Sequence, residues 1–185
     1  MSLDEGQKQF IGYLLSLAEK GHEDRGGLAD LRSGLGREPG LMTRVHRHVA
    51  PFLPAERHSD RWYYLVATLF GAYPQHRPNV SLGKALAPLR WMSASIEARF
   101  TALLNANAEE LDDHLRHVIG LLRAHERPLD WFRLFSDLLH WDDLSGSVQL
   151  AWARDFYGYQ AAPAPFTADM GEASEASGDE GKSDE

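Results

Sequence analysis

Nearly every apolar cluster in this chain is spaced for a helix, and no segment alternates apolar and polar residues as a half-buried strand does. Phe10, Leu14, Leu17 and Ala18 fall at i, i+4, i+7 and i+8. Trp62, Tyr63, Val66, Leu69, Phe70 and Tyr73 predict a second amphipathic helix, and Ile96, Phe100, Leu103 and Leu104 a third. Leu111, Leu115, Val118, Ile119 and Leu122 predict a fourth and longest. Trp131, Leu134, Phe135, Leu138 and Leu139 predict a fifth, and Val148, Trp152 and Phe156 a sixth. Two shorter pieces, Leu28–Leu35 and Leu41–Phe52, also read as helical. The pattern excludes sheet-based architectures and predicts an all-α protein of about eight helices.

Local chemistry supports these limits. Asn107 can cap the longest helix, with Glu110 three residues on as a capping box. Pro128 stands where a helix can begin and Gly158 where one can stop. Gly34, Gly36, Pro39 and Gly40 break the chain after the second predicted segment; Pro51 and Pro54 end the next, and Pro74 and Pro78 the one after. The character changes near Ser93. Residues 1–92 predict an N-terminal half of short, Arg-rich helices with Pro/Gly loops; residues 93–160 predict a C-terminal helical bundle with short turns, packed against the first half. Residues 161–185 are small, acidic and polar, and are expected to be disordered. There is no internal repeat. At 185 residues and 43% hydrophobic, the chain makes one domain or two small ones with a sizeable core.

The chain has no cysteine, which excludes a disulfide scaffold, a thiol nucleophile and Cys-ligated metal, and fits the reducing cytoplasm, where the protein is expected. No run approaches the ~18 apolar residues of a membrane span, and the opening MSLDEGQKQF does not read as a secretory signal. The net charge of −8 hides a strong asymmetry. Residues 161–185 hold seven acids and one lysine, whereas residues 25–99 hold eleven bases (ten Arg and Lys84) against five acids. An acidic average therefore does not argue against a nucleic-acid partner.

Catalytic signatures are missing. There is no P-loop, G-x-G-x-x-G, G-x-S-x-G or H-E-x-x-H. His114 and His117, with Asp113, have a spacing that metal ligands use, but no second His/carboxylate cluster completes a site, so a solvated helix face is the better reading. The run Asp137, His140, Trp141, Asp142, Asp143 reads as helix-end structure, and no metal, cofactor or enzymatic activity is expected. Trp62, Trp131, Trp141 and Trp152 lie on or beside apolar stripes and read as core; Trp91, after Arg90 in a loop, stays ambiguous between core and a base-stacking role.

The arginines carry the stronger signal. Arg25 and Arg32 lie at the rim of the stripe holding Leu28 and Leu35. Arg44 and Arg47 share a side of the Leu41–Phe52 segment away from Leu41, Val45 and Val49, with Arg37 before them and His46 and His48 adding charge at lower pH. Arg116, Arg123 and Arg127 form a stripe opposite the apolar face of the longest helix. Any one of these has a structural alternative: a cation at a helix C-terminus for Arg123 and Arg127, or pairing with Asp24 or Glu97 for Arg25, Arg32 and Arg99. As a set they match what is needed to track a phosphate backbone without reading bases.

An ordered series of segments then resembles a known family: RGGLADLRSGLG (25–36), YYLVATLFGAYP (63–74), SLGKALAPL (81–89), SIEARFTALLNAN (95–107), DWFRLFSDLLHWDD (130–143) and VQLAWARDFYG (148–158). In order and spacing they are similar to CasB, the small-subunit family of type I-E CRISPR Cascade complexes. The resemblance runs from about Arg25 to Gly158; the first 24 residues match only as a generic helix and the acidic tail does not match. It implies an all-α, two-part, non-catalytic subunit that sits as a pair in a crRNA-guided surveillance complex. There it would contact other Cascade subunits and hold a target or displaced DNA strand when the R-loop opens. Basic positions inside the matching segments are Arg25, Arg32, Lys84, Arg99 and Arg154. Helical geometry alone adds Arg44, Arg47, Arg116 and Arg123. Val80, Ser81, Leu82 and Gly83 depart from the Asn-Phe-Gly turn usual in the family.

The leading expectation is thus a sequence-independent nucleic-acid-binding Cascade subunit. Its rival is a helical adaptor that binds only proteins, and a third reading is a metal-dependent hydrolase built on His114 and His117. The tail is expected to be a plain solubilising extension rather than a competitor lying over the basic face.

Overall fold

A computed structural model describes residues 3–158. Among the described residues the chain forms nine α-helices, joined by loops and 3-10 turns, with no strand. They are α1 (Glu5–Leu17), α2 (Arg25–Ser33), α3 (His46–Val49), α4 (Asp60–Ala72), α5 (Leu82–Leu86), α6 (Ala94–Asn105), α7 (Leu111–Ala124), α8 (Trp131–Leu139) and α9 (Ser147–Tyr157). The all-α expectation holds. The expected disorder of 161–185 concerns residues outside the described ones.

Side-chain caps start several helices. Asp4 and Gln7 form a reciprocal capping box on α1, and Asp24 accepts from Gly27 N at 2.8 Å to open α2. Ser81 accepts from Lys84 N at 3.1 Å, and Asp130 from Phe132 N and Arg133 N at 3.0 and 3.2 Å. The expected box at Asn107 is only half made. Asn107 Oδ1 accepts from Glu109 N and Glu110 N, both at 2.9 Å, but this organises a turn, and α7 begins after it with Glu110 at the cap position and no side-chain bond.

Leu41–Phe52 is not one helix. It divides into a 3-10 turn at Pro39–Leu41, the single turn of α3, and a second 3-10 turn at Ala50–Phe52. The tighter winding moves Met42 and Val45 into the core and leaves Leu41, an expected core position, 67% exposed.

The centre of the molecule is α4, whose residues Trp62–Gly71 are buried all round. It packs against α2, α7 and α8, while α1 lies on α2 and α8, and α6 on α7. Glycine lets two pairs of helices approach closely. A β-carbon on Gly71 would lie 2.7 Å from Leu31 Cβ, and one on Gly83 would lie 2.3 Å from Trp152 O, where α5 meets α9. One hydrophobic core is built from residues on both sides of Ser93. Phe10, Tyr63 and Phe135 join α1, α4 and α8 with ring centroids 4.8–5.4 Å apart, and Phe100 stacks on Phe156 at 4.1 Å.

Candidate nucleic-acid interface

The end of α7 and the loop before α5 bring several basic side chains together. Glu126 takes a left-handed conformation, φ +52°, which stops α7 and lets Arg127 N donate to Leu122 O at 2.9 Å. The loop after α4 is laced to the chain entering α8: Arg77 N donates to Leu129 O at 2.9 Å, Asp130 N to Val80 O at 2.8 Å, and Asn79 N to Asp130 Oδ2 at 2.8 Å. Trp131 Nε1 donates to Gln75 O at 2.9 Å. This lacing fixes Arg77 beside Arg127. Meanwhile the close approach of α5 to α9 sets Lys84 beside Arg154.

The result is two adjoining clefts that share Glu126 and Pro128. Arg32 and Arg123 line the first; Arg77, Lys84, Arg127 and Arg154 line the second. Their acids are Glu126 and Asp155. Asp155 is already engaged, accepting from Ser81 Oγ at 2.5 Å and Arg133 Nη2 at 3.2 Å, with Lys84 Nζ at 4.0 Å. Arg32 Nε donates to Gly71 O at 3.0 Å, which holds its side chain across α4 without neutralising it. Arg77, Arg123 and Arg154 are exposed and have no side-chain partner among the described residues. Six cations thus meet two acids along one continuous edge.

Of the positions read from the sequence, Arg32, Lys84, Arg123 and Arg154 come together here. Arg25, Arg44 and Arg99 are exposed and outside the two clefts. Arg47 pairs with Asp30 and donates from Nε to His48 Nε2 at 3.1 Å. Arg116 pairs with Asp113 and lies over Gly36, whose φ of +75° and bare Cα leave room for the guanidinium. The predicted stripe of Arg116, Arg123 and Arg127 is therefore split: Arg116 is engaged in packing, and Arg127 stands beyond the helix end. Arg77 was not among the predicted positions, because it lies in a Pro/Asn loop with no helical register; its only signal was a lone arginine between Pro74 and Pro78.

The other candidate centres resolve into structure. Asp137 and His140 do not bond each other: Asp137 Oδ2 accepts from Trp152 Nε1 at 2.6 Å, and His140 Nδ1 donates to Ser136 O at 2.7 Å. Burial pushes the Asp137 carboxyl above its ordinary range. Among the described residues no three His, Cys, Asp or Glu side chains are placed to hold a metal ion, His114 and His117 included. Trp62, Trp131, Trp141 and Trp152 are at most 5% exposed, as expected of core, whereas Trp91 is 65% exposed. No helix among the described residues is long and apolar enough to cross a membrane.

The helical fold, with six basic residues lining two adjoining clefts, defines a small all-α protein with a basic edge. The family model for CRISPR-associated protein Cse2 matches residues 27–157, and the chain belongs to this family. It is 36% identical over 138 residues to CRISPR-associated protein Cse2 of Thermus thermophilus, covering 72% of this chain and 80% of that protein. The crystal structure of CasB from Thermus thermophilus superposes with a TM-score of 0.73 at 31% identity, covering 85% of this chain and all of that one. A chain of a CRISPR RNA-guided surveillance complex gives 0.70 at 25% identity, over 83% of this chain and 92% of its own. The resemblance to CasB drawn from the sequence is thereby established.

Proposed function

We propose that this protein is the small subunit of a CRISPR Cascade surveillance complex, in which it holds a nucleic-acid strand by its backbone and catalyses no reaction. The observation that carries this reading is the strip Arg32–Arg123–Arg127–Arg77–Lys84–Arg154, six cations on one edge against Glu126 and Asp155. Family membership and a similar chain in an RNA-guided surveillance complex support the assembly part. In this reading the subunit works beside other Cascade subunits and the crRNA, pairs with a second copy within the complex, and contacts the target or displaced DNA strand.

The energetics suit such a role. R-loop formation exchanges one duplex for another of similar stability, so a few extra backbone contacts tip the balance. Guanidinium groups fork onto phosphate oxygens without selecting a base. Arg25, Arg44 and Arg99, which lie away from the clefts, are secondary contacts.

The test is a salt series on single- and double-stranded DNA, with the free chain and with the assembled complex. Four phosphate contacts predict an affinity loss of roughly 50- to 150-fold between 50 and 200 mM salt. Joint reversal of Arg77, Arg127 and Arg154 to Glu is expected to abolish DNA retention while assembly persists. Loss of assembly with DNA retention intact would instead make the protein an adaptor between proteins. Salt-independent or absent DNA binding in both forms defeats the proposal.

A further inference from the structure

Four of the five tryptophans are in the core, and the fifth is held out of it. Trp91 is 65% exposed and its neighbour Met92 is 62% exposed. The indole is nonetheless fixed. Arg90 lays its guanidinium over the ring, Cζ 4.2 Å from the centroid, and the same guanidinium donates from Nη1 to Phe156 O at 3.1 Å and Tyr157 O at 3.0 Å. One face of Trp91 therefore rests on a cation tied to the end of α9. A ring covered on one face and still two-thirds exposed presents its other face to solvent.

The two segments that hold the indole also help to build the second basic cleft. Gly158, the residue after Tyr157, lines this cleft together with Lys84 and Arg154. So does Pro88, from the same 3-10 segment, Ala87–Trp91, that ends in the indole. An exposed, pre-oriented aromatic near a cleft in which cations outnumber acids is the arrangement that binds unpaired bases: the cations take the phosphates and the ring takes a base face. Fixing the indole in advance removes the ordering cost that a mobile side chain would pay on binding. The guanidinium beneath completes a layered stack of cation, indole and base.

We propose that Trp91 is a stacking platform for one unpaired base of a strand whose backbone runs in the Arg77, Lys84, Arg127 and Arg154 cleft. The consequence is selectivity for form rather than sequence. Every base has a face to offer, but a base inside a duplex already has both faces covered. The inference rests on the nucleic-acid reading above and adds the state of the strand, single rather than double.

The full chain is titrated at fixed salt with a thymidine 15-mer, with an abasic strand of equal length and charge, and with a duplex. Trp91→Ala is compared with Trp91→Phe. Because the side chain is exposed, both variants are expected to melt like the parent. Trp91→Ala should weaken thymidine-strand binding by about 5- to 150-fold, the range of one base–aromatic stack. It should leave the abasic strand, the duplex and the salt slope unchanged within twofold, and Trp91→Phe should restore most of the loss. Equal losses on thymidine and abasic strands, or no loss, overturn the stacking role. Unchanged strand binding with impaired assembly of the complex also overturns it, and makes Trp91 a protein contact. A parent chain that binds none of the three probes sinks the underlying reading, which separates that failure from this one.

Discussion

Glu126 is held in the left-handed conformation that ends α7, at φ +52°, and its carboxylate faces the junction of the two basic clefts. A residue with a β-carbon pays about 1–2 kcal/mol there, and the charge opposes a polyanion. Glu126→Gly should therefore raise stability by up to about 1 kcal/mol, the glycine's greater unfolded-state freedom offsetting part of the relief, and tighten DNA binding a few-fold. A thermal melt checks the first expectation and a titration at matched salt the second; lower stability would show that contacts of the carboxylate outweigh the backbone strain. His48 sets a pH dependence of opposite origin. It is buried, and since Arg47 Nε can only donate, His48 Nε2 accepts that bond, leaving Nδ1 to donate to the Tyr13 hydroxyl at 2.7 Å. Burial, with Arg47 beside the ring, pulls its pKa below the ordinary 6.5, against the smaller opposing pull of Asp30 and Asp24. Below 6.5 the unfolded chain takes up a proton that the folded chain refuses, so stability falls as pH drops through that value. The melting temperature of His48→Gln should decline less steeply between pH 7 and 5.5 than that of the parent; equal slopes would remove His48 as the cause.

The helices differ in how far neighbours dictate them, and α5 is the clearest case. It spans only Leu82–Leu86 and owes its place to contact with α9, where Gly83 lies against the Trp152 carbonyl. Gly83→Ala puts a methyl into backbone that has no side chain to swing aside. It is expected to cost at least about 1–3 kcal/mol and to move Lys84 away from Arg154; a melting temperature equal to the parent's would show that α5 can slide without loss. The long helices other than α4, which is buried all round, were legible in the sequence because each buries one stripe at a period near 3.6; caps at Asp4, Asp24 and Asp130, which were not singled out in the sequence, set the starts of three helices. Leu41–Phe52 was not legible, because a 3-10 turn and an α-turn give almost the same apolar spacing over so short a span. The candidate interface divides in the same way. Arg123 projects from an exposed position on a helix, so its register announced it, whereas Arg154 was marked only by the family resemblance of its segment. Arg77 reaches Arg127 only through the lacing of residues 75–80 onto 129–131, a pairing of segments far apart in the chain that no local pattern encodes. Conversely, Arg47 and Arg116 looked available by register, yet each meets an acid, Asp30 or Asp113.

At the scale of the whole chain the governing quantity is where the charge lies. The full sequence carries −8, yet residues 161–185 supply seven acids against one lysine, so the remainder is close to neutral at −2. The described residues end at Gly158, which itself lines the second basic cleft. The acidic segment is thus attached at the edge where the cations gather, and its high effective concentration there follows from the tether alone. Six net negative charges joined to the chain through Gly158 are expected to reduce the local potential that draws in a strand. Deleting residues 161–185 should therefore tighten DNA binding several-fold at 50 mM salt. The gain should shrink as salt rises, because the Debye length falls from about 10 Å at 0.1 M to about 3 Å at 1 M. A second variant separates charge from bulk: replacing the seven acids by Asn and Gln while keeping the length should reproduce the deletion. If the deletion tightens binding and the neutralised tail does not, the segment acts by bulk. If neither variant changes affinity at low salt, the acids lie too far from the bound strand to act on it, and the edge built by Arg77, Arg127 and Arg154 works independently of the rest of the chain's charge.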